Sequence, residues 1–125
     1  MKKAIARFSR PRPQRVPEEM KAWAAALAGE MTTWPGVQSR VFFGFSALYR
    51  KNRIFALLPR TRALEPSNSV GFKLKSTRQI VAQARTDSRV GYTQMQKARW
   101  FTFAVSAEAD LRDALKWLQR AYEAM

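Results

Sequence analysis

The stretch from Gln38 to Leu58 constrains the fold more than any other part of the chain. From Arg40 onward, alternate residues are apolar or aromatic with a period of two, which indicates a β-strand. Lys51-Asn52 then interrupts the strand, and Asn tolerates the left-handed conformation that a two-residue type I′ turn requires. The stretch therefore predicts a β-hairpin with aromatic arms and a basic tip.

Two features of this hairpin lead to specific expectations. Gly44 lies within the first arm, where a glycine indicates either a bulge in the strand or a close approach of another part of the backbone. Arg50 and Arg53 are expected to face each other across the turn. Like charges in that position cost roughly a few tenths of a kcal/mol, so the pair hints at an anion that visits the tip.

Helices are predicted on both sides of this hairpin in the chain. Apolar residues at spacings of three and four predict a helix from Pro17 to about Thr32. We expect Ser76 to cap a short helix to about Arg85, and Ser106 to cap a last helix. The residues expected to face the core are Met20, Trp23, Ala24, Leu27 and Met31 in the first helix, and Leu111, Ala114, Leu115, Trp117, Leu118 and Tyr122 in the last.

Two further strands are predicted, at Ser69–Lys75 and Trp100–Val105. In the first of these, the apolar residues point one way and Lys73 and Lys75 point the other. Residues 87–99 are polar and contain a glycine, so irregular structure is expected there. The predicted order α-β-β-β-α-β-α describes one α+β domain of residues 16–125 with a four-stranded antiparallel sheet.

Charge is the strongest indication of a partner. The net charge is +14, and the segment between Met31 and Thr86 has ten Lys and Arg residues but one acid, Glu65. Residues 1–15 add six basic residues, and Pro11 and Pro13 prevent a continuous helix, so a flexible basic arm is predicted. Such an excess favours polyanions, namely nucleic acid, an anionic membrane surface or an acidic protein. A basic surface that is merely solvated is the alternative.

Composition argues against an enzyme. The chain has no His and no Cys, which removes the commonest general base and most zinc ligands. The acids Glu108, Asp110 and Asp113 fit the first turns of a helix, where they interact with its dipole, better than they fit a catalytic or metal site. No phosphate-binding loop or nucleophile elbow is present. We therefore expect no enzymatic activity, cofactor or metal.

The sequence has no long apolar run and no signal-like apolar segment. A cytoplasmic protein with no membrane span is therefore expected.

Three segments resemble one known family. Phe45–Arg60, FSALYRKNRIFALLPR, followed by SVGFKLK, resembles the hairpin and third strand of the MmcQ/YjbR-like proteins. Gly91–Phe103, GYTQMQKARWFTF, resembles the family's segment with a Lys, a Trp and a final strand. Ala98–Met125, ARWFTFAVSAEADLRDALKWLQRAYEAM, then resembles the family's ending of a strand and a terminal helix, with Tyr122 near the end. The hairpin is also similar to the N-terminal domain of the TfoX competence regulators. The resemblance covers about Val16 to Met125.

The resemblance implies a double-wing fold, which is similar to some DNA-binding domains, and so implies nucleic-acid binding by analogy. It departs from the family at one point. Where the family often has a His before its Lys-x-x-Trp, this chain has Thr93 or Gln94, so any role of that His is lost.

The candidate nucleic-acid site is a set of seven cations. Lys and Arg side chains suit phosphate contacts, and exposed aromatics such as Phe42 can stack on bases. The seven residues, expected on one surface, are Arg50, Lys51, Arg53, Arg60, Arg62, Lys73 and Lys75. They predict a non-enzymatic module that binds DNA or RNA or acts in regulation. The alternatives are a protein-interaction module that uses the hairpin or sheet edge, and a small-ligand-binding domain.

Overall fold

A computed structural model describes residues 16–64, 68–75, 77–95 and 98–125, with the backbone alone for 92–95 and 98–99. The predicted basic arm at residues 1–15 and the predicted cap Ser76 lie outside the described residues. The elements are α1 (Glu18–Met31), β1 (Val37–Phe42), β2 (Phe45–Arg50), β3 (Arg53–Pro59), β4 (Ser69–Lys73), α2 (Arg78–Arg85), β5 (Val90–Met95), β6 (Ala98–Ala104), a 3-10 helix (Glu108–Asp110) and α3 (Leu111–Glu123).

The strands form one antiparallel sheet in the order β1-β2-β3-β4-β6-β5. The protein is therefore α+β with an antiparallel sheet, as predicted. The prediction of four strands was wrong, because the sheet has six. Both additional strands lie at its edges, β1 on one side and β5 on the other.

The first additional strand arises from a turn at Gly44. Phe43 and Gly44 have φ values of 49° and 87°, and Phe42 pairs with Phe45 across them. Positive φ at both central residues is the geometry of a type I′ turn, which reverses the chain. Gly44 therefore belongs to a hairpin turn rather than to a bulge within one strand. A register shift does occur at Leu48/Tyr49, where β2 pairs with β3.

The second additional strand is β5, in the segment expected to be irregular. It pairs with β6 over six positions, from Val90↔Phe103 to Met95↔Ala98. Gly91 lies opposite Thr102, and a Cβ at Gly91 would lie 2.7 Å from the Thr102 hydroxyl oxygen. Close cross-strand packing thus accounts for a glycine inside this strand.

The predicted hairpin around Lys51-Asn52 is confirmed. Both turn residues have positive φ, 54° and 63°, and Arg50 pairs with Arg53.

Helix capping differs from expectation. The side chain of Thr77 accepts the Ile80 N–H at 3.2 Å and caps α2. Ser106 supplies no side-chain cap; the Asp110 carboxylate instead accepts the backbone N–H groups of Ser106 and Ala107, at 2.8 and 3.1 Å.

The three α-helices of the described residues pack on one face of the sheet. The predicted core stripes of α1 and α3 are confirmed, with Trp23, Leu111, Leu115 and Tyr122 only partly buried. On the sheet side, Phe72 stacks on Phe101 and on Trp117, each at 5.6 Å between ring centroids. The helices therefore cover one face of the sheet, and in the described residues the opposite face carries no helix.

Candidate nucleic-acid interface

The face of the sheet away from the helices, here called the second face, carries its own small apolar cluster. Ala47, Leu57 and Trp100 are buried there, and Phe45, Tyr49 and Ile54 pack against them. Among the described residues, no helix residue belongs to this cluster. The sheet thus has a packed helix side and a second side built only from strand residues.

Cations lie on this second face beside aromatic rings. Arg40 of β1 is exposed, and its guanidinium lies 5.1 Å from the centre of the Tyr49 ring. Lys73 of β4 is exposed and pairs with Trp100 of β6. Alternation along β4 puts Leu74 into the core and Lys73 on the second face, as predicted. Arg40 was not among the predicted site residues.

The seven predicted cations divide between the two ends of the sheet. Lys51 and Arg53 lie at the β2–β3 turn, and β4 runs antiparallel to β3, so Lys75 follows β4 toward that same end. We call this the Lys51 end. Arg60 and Arg62 follow β3 at the opposite end, here called the Gly44 end. Six strand residues at about 3.3 Å each separate the ends by about 20 Å. The seven cations, expected on one surface, are therefore spread over both ends of the sheet rather than gathered at one point.

Arg50 is not a free cation. Its Nη1 donates to the backbone carbonyl of Tyr122 at 2.7 Å, and its guanidinium lies 4.2 Å from the Tyr122 ring centre. That carbonyl is in the last turn of α3, where the helix dipole is negative, and it also accepts the Met125 N–H at 3.3 Å. The Tyr122 hydroxyl in turn donates to the Pro35 carbonyl at 2.7 Å. Arg50 therefore anchors α3 to the hairpin, which leaves it less available to an anion than Lys51 or Arg53.

The Gly44 end joins a turn to a loop. The Gly44 carbonyl accepts the N–H groups of Thr61 and Arg62, at 2.9 and 3.0 Å. A Cβ at Gly44 would lie 2.6 Å from Cγ of Arg62, so only glycine fits beneath this side chain. These contacts hold Arg60 and Arg62, both exposed, beside the β1–β2 turn.

The β1–β2 turn itself exposes three consecutive apolar side chains. Val41 is 65%, Phe42 41% and Phe43 72% exposed. The Phe42 and Phe43 rings pack edge to face with centroids 4.7 Å apart. We call these three residues the apolar tip. Phe42, which was expected to be exposed, is exposed.

Acidic residues are segregated from the cations of the sheet. Ion pairs within the described ranges join Lys21 to Glu18, Arg89 to three aspartates, and Lys116 to Asp113. These pairs involve helices and the segment between α2 and β5. The exposed cations of the strands and their turns and loops that form no ion pair with a described acid are Arg40, Lys51, Arg53, Arg60, Arg62, Lys73 and Lys75. Arg78, Arg85 and Arg112 of the helices are also exposed and form no such pair.

One arginine gathers three of the carboxylates. Arg89 contacts Asp87 at 2.8 Å, and Asp110 and Asp113 at 2.9 Å each. The side-chain hydrogen bond from Arg89 lowers the pKa of Asp87. The backbone N–H of Ser106 and then Arg89 lower the pKa of Asp110. Asp110 and Asp113 thus bind a guanidinium as well as lying in the first turns of the last helical segment. Sequence separations of 21 and 24 residues from Arg89 gave no signal for this cluster.

Other kinds of site have less support in the described part of the chain. Depressions of about 460, 580 and 340 Å³ lie beside helices and are open to solvent. No group of three or more acidic residues there is arranged to hold a metal ion.

Two broader findings complete the description of the chain. Within the ranges the structure covers, each helix is too short or too polar to cross a bilayer. Comparison with family models, curated proteins and solved structures finds no match for this chain.

Proposed function

We propose that this protein is a non-enzymatic nucleic-acid-binding module related to the MmcQ/YjbR-like proteins. It holds the phosphate backbone of DNA or RNA against the second face and the Lys51 end. The observation that carries this proposal is the set of exposed cations there without a described carboxylate partner, namely Arg40, Lys51, Arg53, Lys73 and Lys75.

Segregation of charge favours this function over a merely solvated basic surface. A surface that serves only solubility needs no separation of the two signs of charge. Here the aspartates gather around Arg89 on the helix side, while β1 to β4 contain no acid among their residues. A one-signed surface raises the local concentration of a polyanion and accelerates its association.

Salt dependence provides the test. Fluorescence anisotropy of the full chain with labelled single-stranded and duplex oligonucleotides, at several NaCl concentrations, measures the slope of log K against log salt. Five phosphate contacts predict a slope of about −4. The triple variant Arg40→Ser, Lys51→Ser, Lys73→Ser should reduce the magnitude of that slope by about 3 and weaken binding to all sequences alike.

A charge-matched control separates site from net charge. The variant Lys21→Ser, Arg78→Ser, Arg112→Ser removes three exposed cations from the three helices. It should leave the slope nearly unchanged, because these residues lie on the side away from the second face. Equal effects of both triple variants, or a flat salt response of the original protein, would rule out the proposed interface.

A protein-interaction module is the second candidate function. β1 is an edge strand of six residues, and the apolar tip extends from it. Edge strands can pair with an added strand, and contiguous apolar patches often mark protein contacts. Sedimentation of the full chain without nucleic acid tests for self-association through this edge, and a concentration-independent monomer would exclude a second copy as the partner.

A further inference from the structure

The apolar tip is exposed in a way that folding does not require. Scattered exposed apolar residues are ordinary, but Val41, Phe42 and Phe43 are consecutive and lie at the end of a hairpin. They lie outside both apolar clusters of the described residues. The apolar tip therefore exposes two aromatic rings to solvent, where a binding partner could contact them.

Phe43 also carries backbone strain. Its φ of 49° lies in the left-handed region, which is an outlier for a bulky residue and costs about 1 kcal/mol or more. At this position of a type I′ turn, Asn is strongly preferred, and Gly44 already supplies the second residue of the favoured Asn-Gly pair. An aromatic ring thus occupies a position where another residue would fold better.

Cations surround these rings. Arg40 is two residues before Phe42 in β1 and lies on the same face of the sheet. Arg60 and Arg62 are held beside the turn by the two hydrogen bonds to the Gly44 carbonyl. Rings next to cations fit a partner that carries flat apolar groups next to anions. Single-stranded nucleic acid has this chemistry, because each unpaired base exposes a π-face close to a phosphate.

The layout of the cations favours a strand over an anionic bilayer. A planar membrane surface touching the apolar tip would meet Arg60 and Arg62, but Lys51 and Arg53 lie about 20 Å away along the strands. A single strand that crosses the second face reaches both ends. On its way it passes Tyr49, which is partly buried and lies beneath the Arg40 guanidinium.

We propose that Phe42 and Phe43 stack on unpaired bases of a single strand whose phosphates contact Arg40, Arg60 and Arg62. This inference rests on the proposed nucleic-acid binding and specifies its substrate class. A duplex keeps its bases stacked on each other, so it gains the phosphate contacts but not the stacking. The protein should therefore prefer single strands to duplexes of equal length.

The substitution Phe43→Asn tests stacking separately from folding. It removes the ring but supplies the residue that the turn prefers, so thermal denaturation should give an equal or higher Tm. Anisotropy with a single strand of about 12 nucleotides should show roughly tenfold or greater loss of affinity. Binding to the matched duplex and the salt slope should stay unchanged, since the phosphate contacts remain. A 2-aminopurine base in the strand should change fluorescence on binding the original protein, and this change should diminish in the variant.

Conservative variants serve as controls. Phe43→Trp keeps a ring and should retain single-strand affinity. Val41→Thr removes apolar character without a ring and should have little effect. Unchanged single-strand affinity of Phe43→Asn, with a steep salt slope, would overturn stacking and leave the proposed function intact. Absence of any nucleic-acid binding by the original protein would overturn both. Phe43-dependent binding to phosphatidylcholine vesicles containing phosphatidylserine, without an effect on single strands, would assign the tip to membranes and overturn this inference.

Discussion

Arg50 and Arg53 are cross-strand partners at one turn, yet they differ in what they contact. Arg50 is half-buried, bonds the Tyr122 carbonyl and stacks on the Tyr122 ring, whereas Arg53 is exposed. The electrostatic repulsion expected between the two arginines is offset because the guanidinium of Arg50 interacts with the negative C-terminal end of α3. Periodicity correctly placed both arginines at the turn. It carried no information about a helix end that lies 72 residues away in the chain.

Replacing Arg50 should therefore affect stability rather than binding. Arg50→Ala removes a charge-assisted hydrogen bond and a cation–π contact, which predicts a loss of about 1–2 kcal/mol in the free energy of unfolding. Arg50→Lys should recover only part of it, because an ammonium lacks the planar stacking geometry. Urea denaturation measures both values.

Arg53→Ala is the matched control for Arg50. It should change the free energy of unfolding by less than about 0.5 kcal/mol, because an exposed surface substitution rarely does more. A loss as large as that of Arg50→Ala would contradict the role assigned to the contact between Arg50 and Tyr122.

At the scale of elements, the two hairpins show where sequence reasoning succeeds and fails. The turn at Lys51-Asn52 was predictable because Asn commonly adopts positive φ. The turn at Phe43-Gly44 was not, because aromatic residues rarely adopt that conformation and bulky residues continue the alternation on both sides. The strand β5 was missed for a related reason, since Gly91 was taken as a sign of irregular structure.

The Arg89 cluster is an element-scale device that joins the α2–β5 segment to the start of α3. Arg89→Met should destabilise the fold by about 1–2 kcal/mol at neutral pH, since it leaves three neighbouring carboxylates without their shared cation. Thermal denaturation across pH provides the measurement. Lys21→Met, which breaks only an exposed pair with Glu18, is the control and should have little effect.

The pH dependence of stability should have opposite signs in the original protein and in Arg89→Met. In the original, the pKa values of Asp87 and Asp110 lie below the ordinary 3.8, so their stabilisation is present above that pH. It is lost as pH falls through the lowered values. Without Arg89, Asp87 loses the main cause of its lowered pKa and faces the other carboxylates, so its pKa should rise, and the variant should gain stability as pH falls from neutral toward about 4. The backbone N–H groups of Ser106 and Ala107 remain and still lower the pKa of Asp110. A parallel loss in both proteins would contradict this account.

At the scale of the whole molecule, unpaired positive charge should make the fold sensitive to salt. With a net charge of +14 and few ion pairs on the sheet, screening relieves more repulsion than attraction. The Tm should therefore rise with NaCl concentration. The triple serine variant of the second face lowers the net charge to +11 and should show a smaller rise. Differential scanning calorimetry at constant pH measures both, and a Tm that falls with salt would contradict the expectation.

The positions of the candidate site residues on the sheet were harder to predict than the fold class. Composition and strand order were enough for an α+β protein with an antiparallel sheet. The relative positions of Lys51, Arg60 and Lys73 depend on strand length and register, which place Arg60 at the end opposite Lys51. Arg40 lies on the second face because β1 pairs with β2, and this pairing depends on the unexpected turn at Phe43-Gly44.

The order of the elements along the chain has a consequence for how the protein folds during its synthesis. All six strands precede α3 in the chain, so during synthesis the sheet emerges from the ribosome before the helix that completes its core. Until α3 arrives, Leu48, Phe55 and Phe72 have only part of their covering, and incomplete chains with exposed apolar surface are prone to aggregate. The excess of positive charge would meanwhile keep nascent chains apart by electrostatic repulsion.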